Sequence, residues 1–318
     1  FVLVPLYTYV LTTKDYGTAD LMTTTVQLLI PLLTLNVQDG VLRFCLDEMY
    51  NPQKVIGSGI KVIVIGGAIL SALLGVIGTN GWLNVDTKYL LFLLFSFIFG
   101  ALSNCFSMYL KAKDRVKIIA ISGIINTLMT CLLNIVLLIY IKAGVNGYLV
   151  ANVSGTIISV MVMFFGGKIY KEADYNENRI VLTALIPYSL PLVANSLAWW
   201  INNASDRYIL TFFCGAAVNG VYAVSYKIPT ILSTIQSVFY NAWSISAITE
   251  FDKDDKDGFM GNIYSIYSCI SVVGCSLLLM FNIFIAKILY SNEFYTAWKY
   301  VPPLLAGTVF NGIALVEG

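Results

Sequence analysis

The sequence contains no histidine and little charge, and each shortage argues against classes of protein. Without histidine, the chain lacks the commonest metal ligand and general base, so a triad of serine, histidine and aspartate cannot be assembled. Charged residues make up 12% of the chain, against roughly 25% in ordinary globular domains. The net charge of +1 gives no support for nucleic acid as a partner.

Sequence motifs for cofactors and metals are missing as well. There is no glycine-rich phosphate loop or dinucleotide motif, so ATP hydrolysis is not indicated. The six cysteines form no CxxC pair, and we interpret them as small apolar residues. The acidic run at 252–257 lacks the glycine and terminal glutamate of an EF-hand, which favours a solvated loop. We expect no cofactor, no metal and no enzymatic activity.

Long apolar runs dominate what is present, and 58% of the residues are hydrophobic. A soluble protein could not cover its surface with so few charges, whereas a surface in lipid must be apolar. The sequence therefore predicts an all-α membrane protein, a polytopic helical bundle of about ten spans that is truncated at both ends. The predicted spans are residues 1–11, 19–44, 55–79, 85–110, 116–141, 145–165, 180–213, 220–248, 260–290 and 297–316.

Lysine and arginine are concentrated in the loops after the second, fourth, sixth and eighth predicted spans. Cytoplasmic loops of membrane proteins carry an excess of these residues. The pattern predicts that the even-numbered loops are cytoplasmic, and that the N-terminus is cytoplasmic once the first span is complete.

An internal repeat relates two parts of the chain. Gly17 and Gly220 each open a long span that contains proline and ends in acidic residues. The two glycines are 203 residues, or six predicted spans, apart. An even number of spans keeps both copies in the same orientation, which is typical of a parallel repeat about an axis along the membrane normal. We predict an N-terminal helical bundle at 1–170, with spans one to six, and a C-terminal bundle at 171–318, with spans seven to ten and later spans missing.

Polar residues recur at helical spacing in four predicted spans. They are Asp20, Thr24, Gln27, Pro31, Thr34 and Gln38 in the second; Ser122, Asn126, Thr130 and Asn134 in the fifth; Asn195, Asn202 and Asp206 in the seventh; and Tyr222, Tyr226, Ser233, Ser237, Tyr240 and Ser244 in the eighth. In lipid, such residues must face protein or a wet cavity. Hydrogen bonding between helices explains any one stripe as well as a cavity wall does, but four stripes together favour a shared hydrophilic interior.

Charged residues inside or close to the spans refine this prediction. Asp39 and Arg43 are one helical turn apart, which fits either an ion pair that fixes helix register or a functional role. For Arg207 and Lys227 we favour a functional role. No equal number of buried acids is visible to neutralise them, so a cavity that contains them would attract anions. Trp199 lies in mid-span, where stacking on a sugar and ordinary packing explain it equally well.

Four segments resemble the Wzx-type polysaccharide flippases, which belong to the superfamily of multidrug, oligosaccharidyl-lipid and polysaccharide exporters. They are residues 5–17, 196–210, 225–229 and 240–243. The resemblance implies two six-helix bundles around a central cavity in the bacterial cytoplasmic (inner) membrane. It also implies translocation of an undecaprenyl-diphosphate-linked oligosaccharide to the outer face, by alternating access.

This resemblance gives the candidate residues their expected roles. Cations would bind the diphosphate, and Arg43, Arg207 and Lys227 are the candidates. The sugar would be contacted by Asn195, Asn202, Trp199 and Tyr226. Asp39 and Asp206 are candidate carriers of a coupling H⁺ or Na⁺. Expected partners are the lipid-linked oligosaccharide, membrane lipids and proteins of glycan assembly.

Three alternatives stay open. A cation-coupled multidrug exporter of the same superfamily would favour acids and aromatics over cations in its cavity. A membrane glycan polymerase or ligase would need a large outer loop with catalytic residues. A structural membrane partner would not transport at all.

Overall fold

The computed structural model describes residues 3–80, 86–175, 179–249 and 259–317, and this part of the chain is helical without β-strands. Its α-helices are α1 Val4–Val10, α2 Thr13–Thr34, α3 Val37–Leu46, α4 Pro52–Asn80, α5 Thr87–Ala112, α6 Val116–Ile135, α7 Gly144–Gly166, α8 Ile169–Glu172, α9 Arg179–Cys214, α10 Ala216–Ser225, α11 Lys227–Thr249, α12 Phe259–Met280, α13 Asn282–Leu289 and α14 Val301–Glu317. A π-helical turn extends α6 to Tyr140, and a 3-10 segment, Asn292–Lys299, precedes α14.

The apolar helices confirm the prediction of an all-α membrane protein. Within the described ranges, six helices are long and apolar enough to cross a membrane, or seven if α2 and α3 are one bent span. The predicted third to seventh spans each correspond to one such helix, from α4 to α7 and then α9.

The predicted second span is bent and consists of two helices. The chain bends by 54° between α2 and α3. Leu35 and Asn36 both adopt a left-handed conformation at the bend, with φ of 53°. The buried Asn36 donates a hydrogen bond from its side-chain amide to the Asp39 carboxylate, so a local polar contact accompanies the broken helical ladder.

Two other predicted spans are also divided. The eighth is interrupted at Tyr226, between α10 and α11, and the ninth at Phe281, between α12 and α13. The tenth begins later than predicted, because the 3-10 segment precedes α14 and two prolines occupy the first turn of that helix.

The chain forms two compact units. The central unit contains residues 19–209, and the terminal unit contains residues 1–18 and 210–318. These units group residues by contact, so they do not test the predicted bundles at 1–170 and 171–318, which stay a prediction.

The core of the central unit is built around α5. Phe97, Cys105, Tyr109 and Leu110 are buried on that helix and pack with residues of α3, α4, α7 and α9. The polar stripe of α6 packs against α7, where a Cβ atom added at Gly155 would collide with the Thr130 hydroxyl and approach the Asn126 amide. For this stripe, close packing between helices is therefore the better interpretation.

A polar clamp holds the turn between α5 and α6 to the end of α7. Arg115 donates hydrogen bonds to the Gly167 carbonyl and the Glu172 carboxylate, both at 2.6 Å. Tyr109 donates to the other carboxylate oxygen of Glu172 at 2.7 Å. Arg115 belongs to this clamp, so one of the positive charges in the predicted cytoplasmic loops stabilises the fold.

In the terminal unit, Gly17 and Gly220 pack against each other through their backbones. A Cβ atom at Gly17 would collide with the carbonyl oxygen of Ala216, and one at Gly220 with the carbonyl oxygen of Thr13. Each obstructing carbonyl lies four residues before the opposite glycine, so the contact is reciprocal, as at a two-fold axis. The Asn219 side chain also donates to the Gly17 carbonyl at 3.0 Å. This reciprocal contact has the register that the sequence repeat predicts.

Candidate functional site

An ion pair joins α2 to α9 inside the central unit. Nη1 of Arg207 lies 2.8 Å from Oδ1 of Asp20 and 3.2 Å from the Thr24 hydroxyl. The side chains of Arg207 and Asp20 are only 21% and 17% exposed. Asp20 and Thr24 are four residues apart in α2, so the helical repeat directs both toward the same guanidinium. The guanidinium is thus fixed between two apolar helices.

Aromatic side chains of α9 make further contacts with α2. The Trp200 indole donates to the Thr24 backbone carbonyl at 3.0 Å, and the Tyr208 and Thr25 hydroxyls are 2.6 Å apart. The rings of Trp200 and Tyr208 lie 5.5 Å apart. Hydrogen bonds from three side chains of α9 therefore fix its rotation relative to α2.

The expectation that no buried acid balances the intramembrane cations is wrong for Arg207, because Asp20 neutralises it. Asp20 and Thr24 belong to the predicted polar stripe of the second span, but the sequence did not identify them, or Trp200, as contacts between α2 and α9. A usable signal was present: Asp20 lies seven residues after the start of α2 and Arg207 seven before the end of α9. The second and seventh predicted spans cross in opposite directions, so these positions have similar depth.

The predicted sugar-binding residues of α9 lie on a different face from the ion pair. Asn195, Trp199 and Asn202 are exposed, and the Trp199 side chain is not the one that contacts α2. Asp206 is half-buried and accepts a hydrogen bond from the Arg207 backbone N–H at 2.9 Å. The neighbouring face of α9, which carries Trp200 and Arg207, packs on α2.

The second pair of candidates lies in α3, after the bend. The Asp39 carboxylate accepts a hydrogen bond from Asn36, whose side-chain oxygen accepts one from Gln38 at 3.3 Å. Arg43 is exposed, and its guanidinium carbon lies 4.6 Å from the centre of the Tyr188 ring. Among the described residues, Asp39 and Arg43 do not form the ion pair that their spacing allowed. A cation–π contact with α9 takes its place.

Arg43 and Arg207 lie near opposite ends of α9. Tyr188, beside Arg43, precedes Arg207 by 19 residues in this helix. A rise of 1.5 Å per residue places the two levels about 28 Å apart, close to the thickness of a bilayer core. The structure does not bring these two cations to one point.

Lys227 and Tyr226 belong to the terminal unit, at the junction of α10 and α11. Both are half-buried, and Lys227 is the first residue of α11. The Tyr226 hydroxyl lies 3.1 Å from that of Tyr222, and their rings meet edge to face. Tyr290 donates to the Val224 carbonyl at 3.1 Å and ties the junction to the segment after α13.

The residues that the structure describes contain no group of three cysteine, aspartate or glutamate side chains that could hold a metal ion. The acidic run at 252–257, which the sequence assigned to a solvated loop, lies outside the described residues.

Solved structures with the same fold are transporters. One is an inward-facing multidrug resistance MATE family transporter of the MOP superfamily, at 12% identity and a TM-score of 0.69, with 99% of this chain and 80% of that chain covered. A MATE transporter in the straight conformation has 12% identity and a TM-score of 0.58, covering 98% and 78%. The Vibrio cholerae MATE transporter VcmN, in the bent form, has 12% identity and a TM-score of 0.54, covering 98% and 83%.

Comparison with curated proteins gives no significant sequence match. A family model described as "Polysaccharide biosynthesis protein" matches residues 1–249, which is most of the chain. The resemblance predicted from the sequence is confirmed at this level. The chain is a multi-pass membrane protein that belongs to the polysaccharide biosynthesis protein family.

Proposed function

We propose that this protein moves an undecaprenyl-diphosphate-linked oligosaccharide from the cytoplasmic to the outer leaflet, by alternating access. The observation that carries the proposal is the guanidinium of Arg207, held between two spans of a chain whose family serves polysaccharide biosynthesis. A fixed arginine in a low-dielectric setting is suited to bidentate contact with a phosphate group.

The separation of the two arginines supports a sequence of contacts rather than one composite site. Arg43 lies at the end of α9 that is predicted to be cytoplasmic, where an exposed cation suits capture of the diphosphate. Arg207 lies toward the opposite end, where it suits the later, outward-directed stage. Lys227 is the third candidate cation.

The exposed amides of α9 support a role in sugar binding. Asn195 and Asn202 carry polar groups that would be costly against lipid, so a hydrated cavity is their more favourable surrounding. Trp199 lies between them on the same face and offers a ring for stacking. Tyr226 is the candidate in the terminal unit.

Several finer expectations belong to the same proposal. The protein would lie in the bacterial inner membrane with a cytoplasmic N-terminus, and the bundles at 1–170 and 171–318 would rock against each other. Asp39 and Asp206 are the candidate carriers of a coupling H⁺ or Na⁺. Proteins of glycan assembly would supply and receive the substrate, which fits its use in O-antigen synthesis.

A multidrug exporter is the second candidate function. The solved structures named above favour it, since they include multidrug transporters. At 12% identity, these structures show only that this chain has the same fold. Because Asp20 neutralises Arg207, the balance of charges does not decide between the two candidates, and the polysaccharide biosynthesis family favours the first.

Reconstitution of the full chain in proteoliposomes tests the proposal. The assay follows translocation of a fluorescent polyprenyl-diphosphate oligosaccharide for the wild type, Arg207→Lys and Arg207→Ala. We expect Arg207→Ala to lower the rate about tenfold or more and Arg207→Lys to retain part of it, since lysine keeps the charge but loses the bidentate geometry. Lys117→Ala is the control, because Lys117 is exposed.

Unchanged translocation by Arg207→Ala at equal protein level would remove Arg207 from the mechanism. Extrusion of ethidium without movement of the diphosphate lipid would favour the multidrug exporter. A change in glycan length during the assay would indicate a polymerase or ligase.

A further inference from the structure

The Asp20 carboxylate and a phosphate group are alternative partners for the same guanidinium. A carboxylate is planar and a phosphate is tetrahedral, but the oxygens of both accept charge-assisted N–H bonds from arginine. A substrate diphosphate that used Arg207 would therefore meet a guanidinium already engaged by an anion of the protein itself.

We propose that Asp20 holds the place of a substrate phosphate on Arg207, and that substrate binding displaces this carboxylate and is accompanied by its protonation. The inference rests on the proposed function, because it assumes that Arg207 binds the diphosphate. It assigns to Asp20 the role of a competing anion.

The charges decide where the proton goes. Arginine stays protonated in proteins, so Arg207 cannot respond by losing its own charge. A carboxylate left without its cation between apolar helices is strongly disfavoured, and such groups are neutralised by taking up a proton. One proton from water joins one Asp20 oxygen as the Arg207–Asp20 contact opens, and no covalent bond to carbon or phosphorus changes.

The groups around Asp20 leave the carboxylate as the natural proton acceptor. The neighbouring ionisable groups on α9 are Arg207 and Tyr208. On α7 the phenol of Tyr148 lies near the Asp20 carboxylate. Tyr89 of α5 packs in the same cluster as Ala19 and Tyr148. The phenols are uncharged near neutral pH, so they do not replace Arg207 as a counter-charge.

Asp206 and Asp15 are the acids that adjoin this region along the chain. The Asp206 carboxylate accepts a hydrogen bond from the backbone N–H of Arg207. Asp15 precedes Asp20 in α2 and accepts a hydrogen bond from the Thr12 hydroxyl at 2.8 Å. Asp15 therefore offers a matched control, a carboxylate of the same helix whose hydrogen bond is to Thr12.

The test measures proton uptake when the full chain in detergent binds farnesyl diphosphate, by calorimetry in two buffers of different ionisation enthalpy. For the wild type we expect net proton uptake and an affinity that falls as pH rises, by up to about tenfold per pH unit for one coupled proton. For Asp20→Asn we expect at least about tenfold tighter binding and the loss of that proton. Ionisation of the diphosphate itself is common to all variants and cancels in the comparison.

Asp20→Glu keeps a carboxylate and should keep the proton uptake, and Asp15→Asn should behave as the wild type. Wild-type proton uptake in Asp20→Asn, or weaker binding by this variant at an unchanged melting temperature, would overturn the inference while leaving the proposed function intact. Wild-type binding by Arg207→Ala would instead remove the diphosphate site on which both ideas depend.

Discussion

At the scale of single residues, the intramembrane and near-membrane charges are held by specific partners. Arg207 is paired with Asp20, Arg115 with Glu172, and Arg43 lies over Tyr188. A charge in an apolar setting is retained only where a partner or water compensates it, which explains this pattern. Net charge alone therefore describes this protein poorly.

The Arg115–Glu172 clamp gives a prediction about pH. Burial by itself would raise the pKa of the Glu172 carboxyl, but hydrogen bonds from Arg115 and Tyr109 and the charge of Arg115 hold that pKa below its ordinary value of 4.5. The folded state thus binds fewer protons at this group than the unfolded state. Its stabilising contribution is complete above about pH 4.5 and is lost as pH falls through the lowered pKa.

Glu172→Gln should lower the stability by about 1–2 kcal/mol at pH 7, since it removes two charge-assisted hydrogen bonds at a partly exposed site. The difference in melting temperature between Glu172→Gln and the wild type, measured in detergent, should shrink as pH is lowered from 7 to 4. Glu48→Gln is the control, because Glu48 is exposed. A constant difference across this pH range would show that the clamp has no ionic component.

At the scale of elements, apolar periodicity predicted most helices but not their interruptions. Local backbone conformation decides where a helix stops, as the left-handed residues at the bend between α2 and α3 show. Close packing decides which helices meet, as at Gly155 on α7. Both depend on side-chain and backbone geometry that an average over apolar residues does not report.

The contact between Gly17 and Gly220 predicts a symmetric mutational effect. Gly17→Val and Gly220→Val should each lower the amount of folded protein and its melting temperature, because each new side chain would displace a backbone carbonyl of the opposite segment. The cost is expected to be about 3 kcal/mol or more, given that backbone has to move. Fluorescence-detected size-exclusion chromatography after heating measures it.

Gly123→Val is the matched control, since a Cβ atom at Gly123 of α6 meets no other atom within 4 Å. A destabilisation at Gly17 that is absent at Gly220 would contradict the reciprocal contact. Equal, small effects at all three glycines would show that helix propensity alone is responsible.

At the scale of the whole molecule, the distribution of lysine and arginine predicts how the chain crosses the membrane. The turn between α5 and α6 is rich in these residues, whereas the turn between α6 and α7 carries Lys142. One helix lies between these turns, α6 with its extension to Tyr140, and it is long enough to span a bilayer. The two turns should therefore face opposite sides, with the first in the cytoplasm.

Labelling of single cysteines tests this orientation. In a background without the native cysteines, Lys142→Cys should react with a membrane-impermeant maleimide added to intact spheroplasts, and Lys113→Cys should react only after permeabilisation. Both side chains are exposed, so a difference in reactivity reports the side of the membrane. The reverse pattern would invert the predicted topology and place Arg43 at the outer end.

The sequence by itself determined the membrane class, the helical fold, the family and the register of the repeat. The class, the fold and the register follow from composition, from the period of apolar residues and from the matching positions of Gly17 and Gly220. The family follows from the resemblance of four segments to known members. Only the tertiary structure decided that Asp20 pairs with Arg207, that Arg43 packs on Tyr188 and that the polar stripe of α6 packs against α7. Such partners are distant in sequence, and their choice depends on the rotation and depth of neighbouring helices, which packing alone sets.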